Sequence, residues 1–122
     1  MTFELVVEAE PSAPRIVRKE FSRAFPRLTC LEDACLCLSE AVTNSVLHGA
    51  GPILVRALHG AGVVRVEVHD ESEAPPVRRT VDERSTTGRG VHLLDRLCTR
   101  WGFDLDGHGK TVWLEFDAGG LR

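Results

Sequence analysis

The stretch from Ser39 to Gly49 places two different stripes on one predicted helix. Glu40, Asn44 and His48 are spaced four residues apart, so at about 100° per residue they form a polar stripe. The opposite side is apolar and carries Leu31, Cys35, Leu38, Val42 and Val46. One explanation of the polar stripe is a solvated helix face followed by a glycine cap. The other is a functional pair, in which the Glu40 carboxylate acts as a base one turn before a metal-binding amide of Asn44. The spacing alone leaves both interpretations open.

This helix is predicted to run from about residue 30 to residue 48. Thr29 is a candidate N-cap, because Glu32 follows three residues later as in a capping box. The segment Gly49-Ala50-Gly51-Pro52 ends the helix.

The preceding part of the chain predicts one strand and one helix. Residues 3–8 are β-prone, and Ser12-Ala13-Pro14 then carries the residue types that open a helix. Pro26 is expected to end that helix.

Two β-rich runs, 53–58 and 63–70, follow the long helix and are joined by a short loop containing glycine. This pattern predicts an antiparallel hairpin. Apolar and polar residues alternate in the second run. One face of this strand therefore carries Val64, Val66 and Val68, and the opposite face carries Arg65, Glu67 and His69. The sheet is therefore expected to be covered on one side and solvated on the other.

Residues 71–86 show no sustained periodicity and carry seven charges. A loop of this length inside a compact domain is often functional. An amphipathic helix is predicted over residues 91–98, with Trp101-Gly102 ending it. The segments 103–105 and 110–116 predict a last hairpin.

The resulting order of elements, β-α-α-β-β-loop-α-β-β, predicts the fold class. We expect an α/β two-layer sandwich in which three helices cover one face of a mixed, mostly antiparallel sheet. A length of 122 residues suits one domain spanning residues 1–122.

Composition and charge exclude several classes of function. The net charge of −3 predicts no general attraction to nucleic acid or to an anionic membrane. No apolar run approaches the roughly 20 residues that span a bilayer, and the N-terminal residues lack the basic-then-apolar order of a signal peptide. We therefore expect a cytoplasmic protein.

The cysteines at 30, 35, 37 and 98 form no C-x-x-C pair, and we interpret them as reduced thiols in or near the core.

Three short features downstream of the striped helix are candidates for chemistry. Asp70 lies where the second hairpin strand meets the loop. An acid at this place either forms the turn or accepts a hydrogen bond from the amino group of a ligand. Gly88-Arg89-Gly90 precedes a helix, where two glycines suit either a hinge or an anion site. Gly109-Lys110-Thr111 opens the last strand, and a plain hairpin exit is the alternative there.

The combination of these segments resembles the Bergerat-fold, or histidine kinase-like, ATPases (the GHKL group). The resemblance is strongest to the serine-protein kinase anti-sigma factors and to actinobacterial stand-alone ATP-binding regulators. Residues 40–49 match the N box, residues 87–94 match the G2 segment, and residues 109–113 match the closing strand. Both the helix and the downstream order therefore contribute to the match.

The resemblance implies a role for each matched residue. Asn44 would coordinate Mg²⁺ beside the ATP phosphates, and Glu40 would act as general base on a serine or threonine hydroxyl, or on water. Asp70 would recognise the adenine amino group, with Thr111 nearby. His48 would belong to the nucleotide site as a member of the N box.

The G2 segment would contact the phosphates. Gly88 and Gly90 would let the chain wrap around them, with Arg84 and Arg89 as positive partners. The flanking residues of the same segment, Thr87 and Val91, complete the implied nucleotide-binding set.

The implied function is a serine/threonine kinase that phosphorylates a STAS-domain anti-anti-sigma partner and regulates a sigma factor. The resemblance also implies a homodimer. One box departs from the family pattern D-x-G-x-G, because Ser72 and Ala74 replace both glycines. A non-catalytic ATP-binding module that controls a protein partner is therefore the alternative prediction.

Overall fold

The computed structural model describes residues 2–76 and 90–117, with side chains from residue 93 onward in the second segment. The elements in chain order are β1 Thr2–Val7, α1 Ala13–Ala24, α2 Leu31–His48, β2 Ile53–Gly60, β3 Val63–Asp70, α3 Gly90–Leu97, β4 Arg100–Leu105 and β5 Lys110–Asp117.

The strands form one sheet in the order β1-β2-β3-β5-β4, and each neighbouring pair among the described strands is antiparallel. The helices cover one face of this sheet. Apolar side chains of that face are buried against them: Val55, Val64, Val66, Val68, Val112 and Leu114. The predicted α/β two-layer sandwich is confirmed.

Helix α1 closes the core at the β1 edge of the sheet. Val17 and Phe21 are fully buried on its inner side. The Phe21 ring lies 5.0 Å from that of Phe25 and 6.1 Å from that of Phe3, centroid to centroid. Each buried aromatic side chain contributes about 1.5–3 kcal/mol through burial, so this cluster fixes α1 against β1.

Two local predictions were wrong. Helix α2 has Cys30 rather than Thr29 at its N-cap position, without a side-chain cap bond. Trp101 and Gly102 lie inside β4 instead of ending α3. A Cβ at residue 102 would come within 2.6 Å of the Trp113 ring, so this glycine makes room for an aromatic neighbour on the next strand.

The alternation in β3 predicted a solvated face of the sheet, and that face carries a network of ion pairs. Arg65 Nη1 and Arg100 Nε donate to the two carboxylate oxygens of Glu115, at 2.8 and 2.9 Å. The pKa of Glu115 is lowered by these bonds, chiefly the one from Arg100. Arg65 also lies over the Trp113 ring, 4.8 Å from its centroid. Because these groups are in contact with solvent, the network contributes little to stability.

The cysteines are free, and Cys35 and Cys37 lie in the core, as predicted. The pKa of Cys98 is raised, first by its hydrogen bond with Cys37 and then by burial. Within residues 2–76 and 90–117, no helix combines the length and the apolar character needed to cross a membrane.

Candidate functional site

The C-terminal end of α2 is fastened to the end of β3 through Asp70. Ser45 Oγ donates to Asp70 Oδ2 at 2.7 Å, and the backbone N–H of Ser72 donates to Asp70 Oδ1 at 2.8 Å. The backbone N–H of Glu71 donates to the carbonyl of Ala50 at 2.8 Å. The N-box helix and the strand-end acid are therefore held in one fixed arrangement.

Asn44 Oδ1 is a buried acceptor that has no hydrogen-bond partner in the described part of the chain. Leaving such an oxygen unpaired costs about 1–3 kcal/mol, so its persistence calls for an explanation. A hard cation with oxygen ligands explains it, and Mg²⁺ is commonly held by one or two protein oxygens together with substrate phosphates. The residue present here fits that requirement.

Glu40 lies one helical turn before Asn44 and is partly buried. Burial raises the pKa of its carboxyl group above the ordinary value. A carboxylate with a raised pKa is a stronger proton acceptor, which suits a general base. His48 lies one turn after Asn44 on the same polar stripe, and its side chain is partly buried like that of Glu40.

A buried ion pair joins Asp70 to Lys110 beneath this helix. The two residues face each other across the β3–β5 ladder, and Lys110 Nζ lies 3.4 Å from Asp70 Oδ2. Their side chains are 0% and 1% exposed respectively. The sequence assigned a role to Asp70, whereas Lys110 was named only within the segment Gly109-Lys110-Thr111 and was given no role of its own.

The missed residues differ in the signal that the sequence offered. Lys110 shares the alternation of Val112 and Leu114, so the period of the strand indicated that it points inward. Ser45 follows Leu38 by seven residues and Val42 by three, so the helical period indicated burial beside the apolar stripe but not the partner of its hydroxyl group.

Thr111 lies on the opposite face of the sheet from the Asp70 carboxylate. It pairs with His69 in the ladder and lines a cavity of about 260 Å³ with Leu54, Arg56, Glu67, His69 and Asp106. The structure therefore does not bring Thr111 to Asp70, because adjacent residues of a strand point to opposite faces. Lys110 occupies that position instead.

Gly49 is required by a close contact and not by a left-handed cap. Its φ of −90° and ψ of −166° are extended. A Cβ there would lie 2.5 Å from the carbonyl oxygen of Ser45 and 2.6 Å from Asp70 Oδ2. The glycine thus lets the end of α2 approach the carboxylate.

Gly49→Ala is therefore expected to lower the free energy of unfolding by about 1–3 kcal/mol, as overpacking does. Gly60→Ala is the matched control, because a Cβ at residue 60 meets no atom within 4 Å. Urea unfolding of both variants measures the difference. Equal stability of the two variants would show that the contact at Gly49 is relaxed at no cost.

The turn after Asp70 forms without the family glycines. The backbone N–H of Ala74 donates to Ser72 Oγ at 3.1 Å, so the serine side chain closes the turn. Among the described non-glycine residues, a positive φ occurs at Ala61, outside this turn. Ser72 and Ala74 are thus compatible with the local backbone.

The predicted G2 residues are placed only in part. Arg84, Thr87, Gly88 and Arg89 lie outside the described residues. Gly90 is the first residue of α3 and Val91 follows it.

Comparison with known proteins agrees with this architecture. The family model of the histidine kinase-like ATPase domain matches residues 7–116. No curated protein is similar enough in sequence to count as a match.

Solved structures with the same fold include two bacterial proteins. The RsbU and RsbW domains of Rv1364c from Mycobacterium tuberculosis match with 23% identity and a TM-score of 0.70, over 95% of this chain and 32% of that chain. The histidine kinase domain of the blue-light activated histidine kinase EL346 from Erythrobacter litoralis matches with 20% identity and a TM-score of 0.54, over 73% and 45%. The present chain spans about a third of the first structure, and these identities establish the fold alone.

Proposed function

Because the chain belongs to the histidine kinase-like ATPase domain family, we propose that it binds Mg·ATP and phosphorylates a serine or threonine of a protein partner. The observation that carries this proposal is the buried Oδ1 of Asn44, which has no hydrogen-bond partner among residues 2–76 and 90–117. It lies one turn from the carboxylate of Glu40, whose pKa is raised.

Each residue of the cluster has a separate task in this proposal. Asn44 Oδ1 would hold Mg²⁺, which supplies positive charge to the transferring phosphates. Glu40 accepts the proton of the substrate hydroxyl, whose oxygen forms the new bond to the γ-phosphorus. The bond from that phosphorus to the β–γ bridging oxygen breaks, and ADP leaves. Asp70 accepts a hydrogen bond from the adenine amino group.

The G2 assignments stay predictions. Gly88 and Gly90 would allow close approach to the phosphates, and Arg84 and Arg89 would neutralise them. The start of α3 at Gly90 supports this, since the N-terminus of a helix favours an anion.

The partner chemistry rests on the resemblance to the serine-kinase anti-sigma factors. A STAS-domain protein would accept the phosphoryl group, and a sigma factor would be a second, competing partner. The possible homodimer rests on the same resemblance.

The experiment is an incubation of the chain with γ-labelled ATP, Mg²⁺ and a STAS-domain protein encoded nearby. We expect label on a serine or threonine of the STAS domain. A STAS variant that lacks the labelled residue is the control. Binding of ATP without labelling of the partner would overturn the kinase proposal.

In that case the second candidate, a non-catalytic ATP-binding module, would stand. The observations that favour it are Ser72 and Ala74 in place of two glycines and the burial of Asp70. A module of this kind changes its affinity for a partner protein on nucleotide binding without turnover.

Asn44→Ala is expected to weaken Mg·ATP binding by about 10- to 100-fold, as loss of groups at a metal site does. Thr43→Ala is the matched control, because Thr43 Oγ1 bonds to the carbonyl of Ser39 in the same helix. Titration calorimetry in Mg²⁺ measures both variants. Unchanged affinity in Asn44→Ala would remove this residue from the metal site.

A further inference from the structure

We propose that Lys110 recognises the nucleotide base together with Asp70, by donating a hydrogen bond to a ring nitrogen next to the base amino group. The inference rests on the proposed nucleotide site and adds a specificity-determining residue to it. Its starting point is the buried contact of 3.4 Å between Lys110 Nζ and Asp70 Oδ2.

The hydrogen-bonding capacity of Asp70 is nearly filled by the protein. A carboxylate offers about four lone-pair positions, two on each oxygen. Oδ2 already faces Ser45 Oγ and Lys110 Nζ, while Oδ1 accepts the backbone N–H of Ser72. One acceptor position therefore remains, and it lies on Oδ1.

The ammonium group of Lys110 has donors to spare. It carries three N–H groups, and the polar partner that it contacts in the described part of the chain is Asp70. The side chain is 1% exposed, so bulk water does not reach the remaining donors. Buried donors without an acceptor are costly, and an acceptor on a ligand would satisfy one of them.

Structural stability alone gives no reason for this pair. Lys110 continues the inward-facing row of Val112, Leu114 and Phe116, where an apolar side chain would pack with its neighbours. Replacing a buried ion pair by apolar residues of similar volume is often neutral or stabilising. A ligand that uses both charged groups accounts for their retention in the core.

One free acceptor beside free donors matches a particular edge of a nucleobase. Adenine presents an amino donor at C6 next to the acceptor N1. The amino group can donate to Asp70 Oδ1 while N1 accepts from Lys110 Nζ. Guanine and hypoxanthine carry a carbonyl oxygen and an N–H at the same two positions, so in this register both contacts become repulsive.

The first test uses the unaltered chain and measures its affinity for ATP, 1-deaza-ATP and 7-deaza-ATP in Mg²⁺. In 1-deaza-ATP a C–H replaces N1, so we expect binding about 10- to 100-fold weaker than that of ATP, as for loss of a hydrogen bond to a charged group. 7-Deaza-ATP alters another edge of the ring and is expected to bind like ATP. GTP and ITP are expected to bind at least as poorly as 1-deaza-ATP.

The second test repeats the titrations with Lys110→Met and Lys110→Gln. Without the ammonium donor, Lys110→Met is expected to bind ATP and 1-deaza-ATP equally, and Lys110→Gln to retain part of the difference through its amide N–H. Lys19→Met removes an exposed lysine of α1 and is the matched control. Far-UV circular dichroism checks the folding of each variant.

The outcomes separate this inference from the function on which it rests. If the unaltered chain binds ATP and 1-deaza-ATP equally well, the role of Lys110 is overturned and the ATP site stands. If it binds no nucleotide, both proposals fail. The unaltered chain decides between these results even if Lys110→Met does not fold.

Discussion

Glu40→Gln is expected to slow the proposed phosphoryl transfer to the partner by about 10²- to 10⁴-fold, the usual contribution of a positioned general base. The amide keeps the shape of the carboxyl group but cannot accept the proton of the attacking hydroxyl. Because Glu40 is assigned to proton transfer and Asn44 to the metal, Mg·ATP affinity should change by less than about 3-fold. Single-turnover labelling and calorimetry measure the two quantities separately.

Glu32→Gln is the matched control, because it removes a carboxylate from the exposed first turn of the same helix. Its transfer rate is expected to equal that of the unaltered chain. A Glu40→Gln variant that retains the full rate would show that another group, or none, removes the proton.

The same residue fixes the direction of the pH dependence. Burial raises the pKa of Glu40, and only the ionised carboxylate is a base. The transfer rate should therefore fall as pH decreases through this pKa, which lies above the ordinary value of a glutamate. The stability of the fold depends on pH in the opposite direction. Because the fold favours the protonated form of Glu40, the contribution of this residue to the free energy of unfolding is present at low pH and is lost as pH rises through the folded-state pKa. Glu40→Gln should thus gain stability relative to the unaltered chain near neutral pH.

The second large effect concerns the stability of the core. Asp70→Asn and Lys110→Met each leave one buried charge without its partner, and each is expected to lower the free energy of unfolding by about 3–5 kcal/mol. The double variant buries no unpaired charge and should lose much less than the sum. Urea unfolding of the four proteins gives the coupling energy.

The exposed pair of Arg56 and Glu4, 3.2 Å apart, supplies the control cycle. Its coupling energy is expected to stay below about 1 kcal/mol because solvent screens it. Additive losses at Asp70 and Lys110, within about 0.5 kcal/mol, would mean that the two charges do not stabilise each other in the fold.

Most of the architecture could be predicted from the sequence because its patterns are local and strong. The alternation of Val64, Val66 and Val68 with polar residues identified β3 and its buried face, and the two stripes of α2 identified the longest helix. Element ends were less accurate, since packing decides them. Position 102 is an example. A glycine is needed there because the Trp113 ring lies against it, and no local pattern in the sequence reveals that contact.

The candidate site was predicted in part for the same reason. Glu40, Asn44 and Asp70 belong to motifs that can be recognised along the chain. The contacts of Asp70 with Ser45 and Lys110 join three elements across 25 and 40 residues of sequence, and tertiary structure alone reveals them. The family motif favoured Thr111, whereas the strand period places its neighbour beside the carboxylate.

The most direct test of this account is a calorimetric titration of the full chain with ATP, once in Mg²⁺ and once in EDTA. We expect saturable binding of one nucleotide in Mg²⁺, because Asn44 Oδ1 is unpaired within the part of the chain that the structure describes and the Asp70 carboxylate is fixed. Removal of the metal should weaken it by about 10-fold or more. Absence of saturable binding, or an affinity that EDTA leaves unchanged, would contradict a Mg·ATP site on this helix.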